Sequence, residues 1–589
     1  MSEKLRWQNV RMLWSFVRPH RRTLLLGLVL GLGTTGASLA TPMVTKSVLD
    51  GLATSASIGP AVALLIVLLV AGSILGLVQW IVLGRMGERV VLDARSSMVR
   101  RLFRVRIGEL AGRSPGELVT RVTSDTVLLR EAAASSLVEL VNSVIGLVGA
   151  LILMALLDGV LLATTLAALV IVAIIVGLLM PPMARAQEQA QGAVGRLGGV
   201  LEGALRAIRT VKASRAEARE SERVIVEATE SARQSIRAVR YQAVAFTIAG
   251  FGIGLAIMII LGLGAWRVGE GLLTVSALVA FLLYAFQLME PVSSLATTVG
   301  GLQSGIAAAA RIREVDAFEL EPADTGPARV AQQDLSKAAL SFENVTARYA
   351  PGAAPAVRDI TLEIPRVGHT AIVGPSGAGK TTIFSLLLRF LNPDSGRLIL
   401  DGTPLQDWSL EDLRRRVVYV EQDTPLVPGT LRENLLYTHD EANEDDIWEA
   451  LRAVRLDERV RALPDGLDTS LSTAVISGGE RQRIALARAL VGDPEILLLD
   501  EATAQLDGLT EAAVHEVIAR IASTGAVLTI AHRLSTVIDA GQIIVLEAGQ
   551  VRAQGNHQEL LASDDLYRDL VAALRIATQP ERSALEVAE

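Results

Sequence analysis

The sequence predicts two halves of different fold class, and three observations carry the division. Every long charge-free run lies before about residue 310 of the 589. From Ala338 onward the apolar pattern shortens to that of strands, with Leu340, Phe342 and Val345 leading into Tyr349-Ala-Pro-Gly352. Between Gly374 and Thr382 the chain reads Gly-Pro-Ser-Gly-Ala-Gly-Lys-Thr-Thr, a fit to G-x-x-x-x-G-K-[ST]. The predicted architecture is an all-α six-helix transmembrane domain with long cytoplasmic helical extensions, followed by an α/β P-loop nucleotide-binding domain.

The first half is read from its hydropathy. Half of all residues are hydrophobic, and the mean hydropathy of +0.41 is too high for a soluble enzyme. Charge-free stretches predict helices at about 23–45, 60–84, 138–157, 160–184, 241–266 and 272–295. Each comes close to the ~20 residues that cross a ~30 Å hydrocarbon core. Asp158-Gly159 alone separates the third and fourth, which makes them a tight hairpin. A net charge of −7 points away from a nucleic-acid partner. The absence of cysteine excludes disulfides, thiolate chemistry and Cys-ligated zinc.

Orientation follows from the basic residues. The N-terminus and the stretches 85–139 and 185–240 are rich in arginine, whereas the opposite connections offer only Lys46 and Arg267. Both ends of this half, the long connections and the second half are therefore expected in the cytoplasm, with the chain in the cell membrane as a multi-pass protein. The long connections are rich in Ala, Arg, Glu and Leu, which favours helix. Breaks are expected at Ile107–Gly116 and around Gly195–Gly203, so Gly108 and Gly116 are candidate coupling positions. On the last two spans Phe246, Phe251, Phe281, Tyr284 and Phe286 are candidates for an apolar pocket. Glu290, before Pro291, is an ionisable group that either faces a polar cavity or a partner at that depth or stands as an interfacial carboxylate at the helix end. Phe246, Phe251, Tyr284 and Glu290 make up the candidate substrate cavity.

The second half carries the chemistry. An apolar strand enters the glycine-rich loop and an apolar helix leaves it, so Gly374, Pro375, Ser376, Gly377, Ala378 and Gly379 curl around an anion at a helix N-terminus. Lys380 reaches the β- and γ-phosphates, Thr381 supplies a hydroxyl to Mg²⁺, and Thr382 completes the loop. A buried strand, Pro494 to Leu499, ends in Asp500-Glu501. Asp500 is placed for the metal, and Glu501 to polarise the attacking water. The strand Val527 to Ile530 ends near His532, within reach of a γ-phosphate if both strands share one parallel sheet. Ser477, Gly478, Gly479 and Glu480 open a second helix whose N-terminus is another anion site. One phosphate cannot readily meet both helix N-termini of one domain; two copies facing head to tail would close on ATP from both sides. Tyr349 is a candidate for stacking on adenine. The expected divisions are 1–325 for the membrane domain, 326–337 for a linker, 338–575 for the nucleotide domain and 576–589 for a tail.

Over its whole length the chain resembles ATP-binding cassette half-transporters of the bacterial exporter type. Gly374–Thr381 is similar to the Walker A motif, Ile496–Glu501 to Walker B, Ile476–Glu480 to the signature, and Tyr349 to the A-loop aromatic. Gln422, in Tyr419-Val-Glu-Gln-Asp423, resembles the Q-loop glutamine that senses the metal, and His532 the switch histidine. Ile208-Arg-Thr-Val-Lys-Ala-Ser214 resembles the second cytoplasmic loop of multidrug half-exporters, which brings in Lys212 as a coupling residue. The resemblance implies a homodimer of six-plus-six helices, domain-swapped, with ATP and Mg²⁺ as ligands. It implies catalytic roles for Glu501, Lys380 and His532, and coupling through Asp507.

The departures from the family pattern are local. The usual Leu-Ser-Gly-Gly-Gln is Ile476-Ser-Gly-Gly-Glu480, which places a carboxylate near a polyanion; either Arg481 and Arg483 close by offset its charge, or its side chain points at ribose hydroxyls. The D-loop reads Ala504-Gln-Leu-Asp507, and Ser470-Leu-Ser-Thr-Ala474 replaces the usual Gly-Glu-Arg-Gly. The expectation is ATP-driven export of hydrophobic or amphipathic compounds by alternating access. A lipid or lipid-linked glycan flippase, one half of a heterodimeric exporter, and an ATP-gated regulator are the alternatives.

Overall fold

The computed structural model describes residues 11–55, 57–322, 338–423, 425–471, 476–500, 508–531 and 533–578. These form two compact units. The expected linker 326–337 and most of the tail 576–589 lie outside the described residues.

The first unit holds Met1–Phe103 and Arg113–Ala317, and its regular elements among the described residues are all helices. Its main helices are α1 (Arg21–Ala53), α2 (Gly59–Leu102), α3 (Leu137–Leu157), α4 (Gly159–Arg206), α5 (Glu217–Gly269), α6 (Val275–Gln287) and α7 (Met289–Asp316). Five helical stretches among the described residues are long and apolar enough to cross a membrane: Arg11–Ala53, Gly59–Leu102, Pro115–Leu157, Glu217–Gly269 and Val275–Asp316. The stretch expected as the fourth span lies in α4, where Gly159–Ile171 is a shorter apolar segment. At 1.5 Å per residue α2 is about 66 Å long, well beyond a hydrocarbon core, so the helices do extend past their apolar parts.

The hairpin between α3 and α4 turns on Asp158 alone. Asp158 sits in extended backbone, and its Oδ1 accepts from the N–H groups of Val160 and Leu161. That satisfies two of the orphan donors of the α4 N-terminus. Its Oδ2 accepts from Arg267 at 2.8 Å, and Lys46 pairs with Asp50 at 2.7 Å. Both basic residues on this side of the helical unit are thus in ion pairs.

The expected breaks fare differently. The first is present: Ile107–Leu110 is a one-turn helix, and a new helix starts at Pro115. The second is corrected. Gly195 to Gly203 lie inside α4, which stops only at Ala207; a short helix, Ile208–Ala213, and a turn to Ala216 follow. A glycine inside a helix costs only about 1 kcal/mol relative to alanine. The regular α4 ladder, packed along α5, outweighs that cost.

The second unit holds Phe318–Glu589 together with Arg104–Gly112. Its sheets contain β1 (Leu340–Ala347), β2 (Val357–Ile364), β3 (Gly368–Val373), β4 (Ser395–Leu400), β5 (Thr403–Pro404), β6 (Val417–Val420), β7 (Ile496–Asp500), β8 (Ala526–Ile530), β9 (Gln542–Glu547) and β10 (Gln550–Gly555). A four-stranded antiparallel sheet runs β2-β1-β4-β5. The main sheet runs β10-β9-β3-β8-β7-β6, parallel except for the β9–β10 hairpin.

The parallel strands β7 and β8 are buried at every residue, as continuous apolar runs covered on both faces should be. Successive side chains of β7 enter different cores. Leu498 packs with Phe384 and Leu387 of α8 (Lys380–Leu387), while Leu497 and Leu499 pack with Ile484 and Leu486 of α9 (Gly478–Leu490) and Val517 of α10 (Gly508–Ala522). The segment from Arg104 is held by backbone pairing of Val105 with Leu320 and by Arg106 to Glu319 at 2.5 Å. Glu321 then takes two hydrogen bonds from the Arg414 guanidinium, at 2.6 and 3.0 Å.

Candidate nucleotide-binding and transport site

The phosphate loop takes its form from two close approaches of backbone. A Cβ on Gly374 would stand 2.2 Å from the Leu546 carbonyl oxygen, and one on Gly379 2.8 Å from that of Ala356. Gly379 also has a φ of +97°, in the left-handed region that glycine enters without strain. It is the N-cap of α8, so the loop feeds straight into a helix N-terminus. Lys380 folds back over the loop, and its Nζ donates to the carbonyls of Gly374 (2.7 Å) and Pro375 (3.1 Å). Pro375, Ser376, Gly377 and Thr381 are exposed, whereas Ala378, Lys380 and Thr382 are buried.

The parallel sheet gathers the remaining residues at one edge. Ile372 of β3 and Asp500 of β7 both pair with Ile530 of β8, so the three strands end level. Strands lie about 4.8 Å apart, which puts Asp500 about two strand spacings from the phosphate loop. Val420 of β6 pairs with Leu499, and Gln422 follows two residues on, exposed. The carboxyl edge of a parallel sheet is where such folds bind ligands. Glu501, the loop to Asp507, and His532 lie outside the described residues.

Tyr419 is a residue that its position in the sequence did not single out. Its hydroxyl donates to Asp500 Oδ2 at 3.4 Å, and its ring meets Phe384 edge-on at 6.0 Å. Burial, then the Asp500 and Glu421 charges, push the phenol pKa up. Tyr419 therefore stays a neutral donor that orients the carboxylate. Thr381, Asp500 and Gln422 together offer hydroxyl, carboxylate and amide oxygens. That all-oxygen set fits Mg²⁺, a hard cation. Tyr349 is 61% exposed, with its hydroxyl 3.3 Å from Thr382 Oγ1, so its ring is open to a flat ligand beside the loop.

Comparison with known proteins agrees with this geometry. Residues 24–292 match the ABC transporter transmembrane region and 357–504 the ABC transporter domain. The chain is 30% identical to a multidrug resistance ABC transporter ATP-binding and permease protein of Lactococcus lactis, over 94% of each chain. It belongs to the ABC transporter family. An ATP-dependent lipid A-core flippase of Ralstonia nicotianae is 31% identical over 97% of each chain. The solved structure of a bacterial Atm1-family ABC exporter with ATP bound matches with a TM-score of 0.77 at 27% identity, covering 95% of this chain and 99% of that one. The protein is thus a membrane-spanning ABC exporter with a transport-coupled ATPase and an ATP-binding domain.

In this exporter the unusual signature glutamate has a partner far off in sequence. Ser477 and Glu480 form a capping box at the start of α9: Ser477 Oγ accepts from the Glu480 N–H, and Glu480 Oε2 from the Ser477 N–H. The other oxygen, Oε1, accepts from Arg459 Nε at 2.9 Å. Burial works to raise the Glu480 pKa, but these hydrogen bonds outweigh it and hold the group below the ordinary glutamate value. Arg481 and Arg483 are not the counter-charges: they donate to the carbonyls of Ile476 and Arg455. Both oxygens of Glu480 are thus committed within its own domain, and the N–H groups of Gly478 and Gly479 stay outside the box.

The remaining candidates are scattered. Gly108 lies in the short helix Ile107–Leu110, within the stretch that clusters with the nucleotide unit. Gly116 lies in the helix Pro115–Thr120 of the membrane unit. Lys212 is exposed on the helix Ile208–Ala213, 3.4 Å from Glu217. Within a single chain the four substrate-cavity candidates do not line one pocket. Phe246 and Phe251 are exposed on α5, at 68% and 72%. Phe286 is also exposed, while Phe281 and Tyr284 are core residues, the Tyr284 hydroxyl donating to the Leu39 carbonyl at 2.6 Å. Glu290 lines a cavity whose walls mix polar side chains with Leu39, Gly146, Ala150 and Pro291.

Proposed function

We propose that the chain exports hydrophobic or amphipathic compounds across the cytoplasmic membrane by alternating access. The observation that carries the reading is the pairing, in one chain, of a glycine-shaped phosphate loop with five helices long enough to span a bilayer. The nucleotide domains face the cytoplasm and pair head to tail, in a homodimer, so that Ser477, Gly478 and Gly479 of one copy close on the triphosphate held by the other. The domain divisions at 325, 337 and 575 are part of this proposal.

At the site the loop amides and Lys380 hold the phosphates, and Tyr349 stacks on the base. Thr381, Asp500 and Gln422 would hold Mg²⁺, which when bound neutralises charge on the β- and γ-phosphates. Glu501 accepts a proton from water as its oxygen bonds to the γ-phosphorus and the bridging P–O bond breaks, releasing ADP and phosphate. Lys380 and His532 stabilise the charge on the transferred group. ATP binding closes the pair of nucleotide domains, and hydrolysis resets it. Substrate must bind the two states with different affinity, since a ligand bound equally in both shifts nothing. The similarity to a lipid A-core flippase supports a second reading, movement of a lipid between leaflets.

The test is ATP-driven uptake into inside-out vesicles by the purified chain, with ATPase measured across drugs and lipids. Stimulated uptake by the protein alone, as a dimer, is the expected result. Silence until a second half-transporter is added would overturn the homodimer, and uptake of no amphiphile at all would overturn export.

A further inference from the structure

Glu501 follows β7 directly, and His532 lies two residues beyond β8. The two strands end level, Asp500 paired with Ile530. Past these ends the chain is anchored again, in two different cores. α10 buries Val514, Val517 and Ile518 in the core it shares with α9. After β8 a short helix, Leu534–Ile538, buries Val537 in another core, beside Ala531 and Val373.

One side chain links these two elements. Glu511, in the first turn of α10, accepts through Oε2 from the Arg533 guanidinium. Its Oε1 accepts from the Ser535 hydroxyl at 2.6 Å. The Glu511 and Arg533 side chains are only 20% and 25% exposed, so their pair is shielded from the water that weakens surface ion pairs. An acidic residue in a first turn ordinarily serves the dipole of its own helix. Here both oxygens are engaged by another segment, the one that begins immediately after His532. His515, one turn further along α10, stands 3.9 Å from Oε1, outside hydrogen-bond distance. On the other side of His532, the Ala531 N–H donates to the Ile372 carbonyl of β3 at 3.2 Å. His532 is therefore flanked by one residue held by the sheet and one held by Glu511.

We infer that Glu511 is a positioning residue for ATP hydrolysis: through Arg533 it sets the segment that carries His532 against the helix that closes the loop from Glu501. The inference rests on the roles proposed for Glu501 and His532, and adds to them a residue that acts through Arg533. Groups that work together on one γ-phosphate must keep their spacing, since a displacement of about 1 Å can cost about 10²-fold in rate. The strands fix where the two loops start. Glu511 fixes where they end relative to one another.

The test compares the full-length wild type with Glu511→Gln, Arg533→Gln and the double variant, all in lipid. Glutamine keeps the shape of Glu511 and an acceptor for Ser535, but not the charge. Each single variant should lower kcat for ATP at least about tenfold, with KM and the Kd for trinitrophenyl-ATP within about twofold of wild type. The double variant should lie within about twofold of either single one, because both remove the same link. A pair that only stabilises the fold would lower the melting temperature and leave kcat unchanged well below it, and that result would overturn the inference. So would losses in kcat that multiply in the double variant. Ser535→Ala removes the second hydrogen bond and no charge, and should lower kcat about two- to fivefold. Unchanged kcat there overturns the inference should a charge variant fail to fold. His532→Ala judges the underlying reading. Turnover near wild type in that variant removes the role of His532, and with it the reason for the link. Turnover lost in His532→Ala but kept in Glu511→Gln leaves the reading standing and removes Glu511 from it.

Discussion

The nucleotide unit and the helical unit place their charged groups in opposite ways. In the first, Asp500 sits where a fully buried parallel strand comes to its end. The strand that carries it is apolar on both faces, and the carboxylate stands at the sheet edge where such folds bind ligands. In the second unit there is no such edge. Glu139 and Glu290 project from helices into a cavity between them, and their setting depends on how four helices pack. One arrangement is fixed by backbone hydrogen bonds and tolerates neighbouring change. The other is held by side chains such as Ser294 and Gln287, and by the room left at Gly31.

The largest effect is expected at the strand end. Glu501→Gln should keep Mg-ATP binding and lower turnover by about 10²–10⁴-fold, as loss of a general base does. Turnover within a few-fold of wild type would take Glu501 out of that role. It would also remove the case that the sheet edge alone assembles the chemistry.

The sheet interior should be as intolerant of charge as its edge is accepting. His369 on β3 shares a hydrogen bond with Thr529 of β8 at 2.9 Å. Burial first, and then the nearby His515, pull its pKa down from 6.5 to about 4. With the folded value below the unfolded one, the unfolded chain takes up the proton first. This contribution is complete above about pH 6.5 and is lost as the pH falls toward 4; it amounts to about 2 kcal/mol between pH 7 and 5. Unfolding of the full chain followed across that range should show the loss in wild type and a flatter profile in His369→Asn. Identical profiles would mean that His369 is not held neutral.

A comparable test in the helical unit targets Asp158, where one carboxylate both caps α4 and pairs with Arg267. Asp158→Ala should lower stability by about 2 kcal/mol, combining a lost cap with a cation left half-buried. The melting temperature of the detergent-solubilised protein is the readout. Asp158→Asn should recover the capping part only. If alanine and asparagine behave alike, the ion pair and not the cap holds the hairpin.

The smallest effect is at the signature. Arg459 is about half exposed, so its pair with Glu480 is worth no more than about 1 kcal/mol. Arg459→Ala leaves the Glu480 charge uncompensated beside the place where the partner's triphosphate would dock. The half-saturating ATP concentration should rise about two- to threefold, an amount that shrinks in high salt. Glu480→Gln keeps the capping geometry and should stay within about twofold of wild type, and adding it to Arg459→Ala should restore the wild-type value. A large loss in Glu480→Gln alone would assign the carboxylate a role that the Arg459 pair does not explain.

The sequence alone determined what is written in contiguous residues. Gly374–Thr382 specifies a phosphate loop because backbone approach and a helix N-terminus follow from local geometry. The charge-free runs specify spanning helices because length and hydropathy are properties of a segment. The same holds for Asp158, a single break between two apolar runs. Only the tertiary structure decided which distant residues meet. Arg459 reaches Glu480 in place of the adjacent Arg481 and Arg483 because a helix turns those two away, toward carbonyls. Tyr419 reaches Asp500 because β6 and β7 pair in register. The glycines at 195–203 resemble a break in sequence, yet the α4 ladder runs through them. The aromatics of the last spans resemble one another in sequence, yet within a single chain α5 exposes two of them and the core takes Tyr284. In each case the deciding energy is a contact between segments, and a one-dimensional pattern does not carry it.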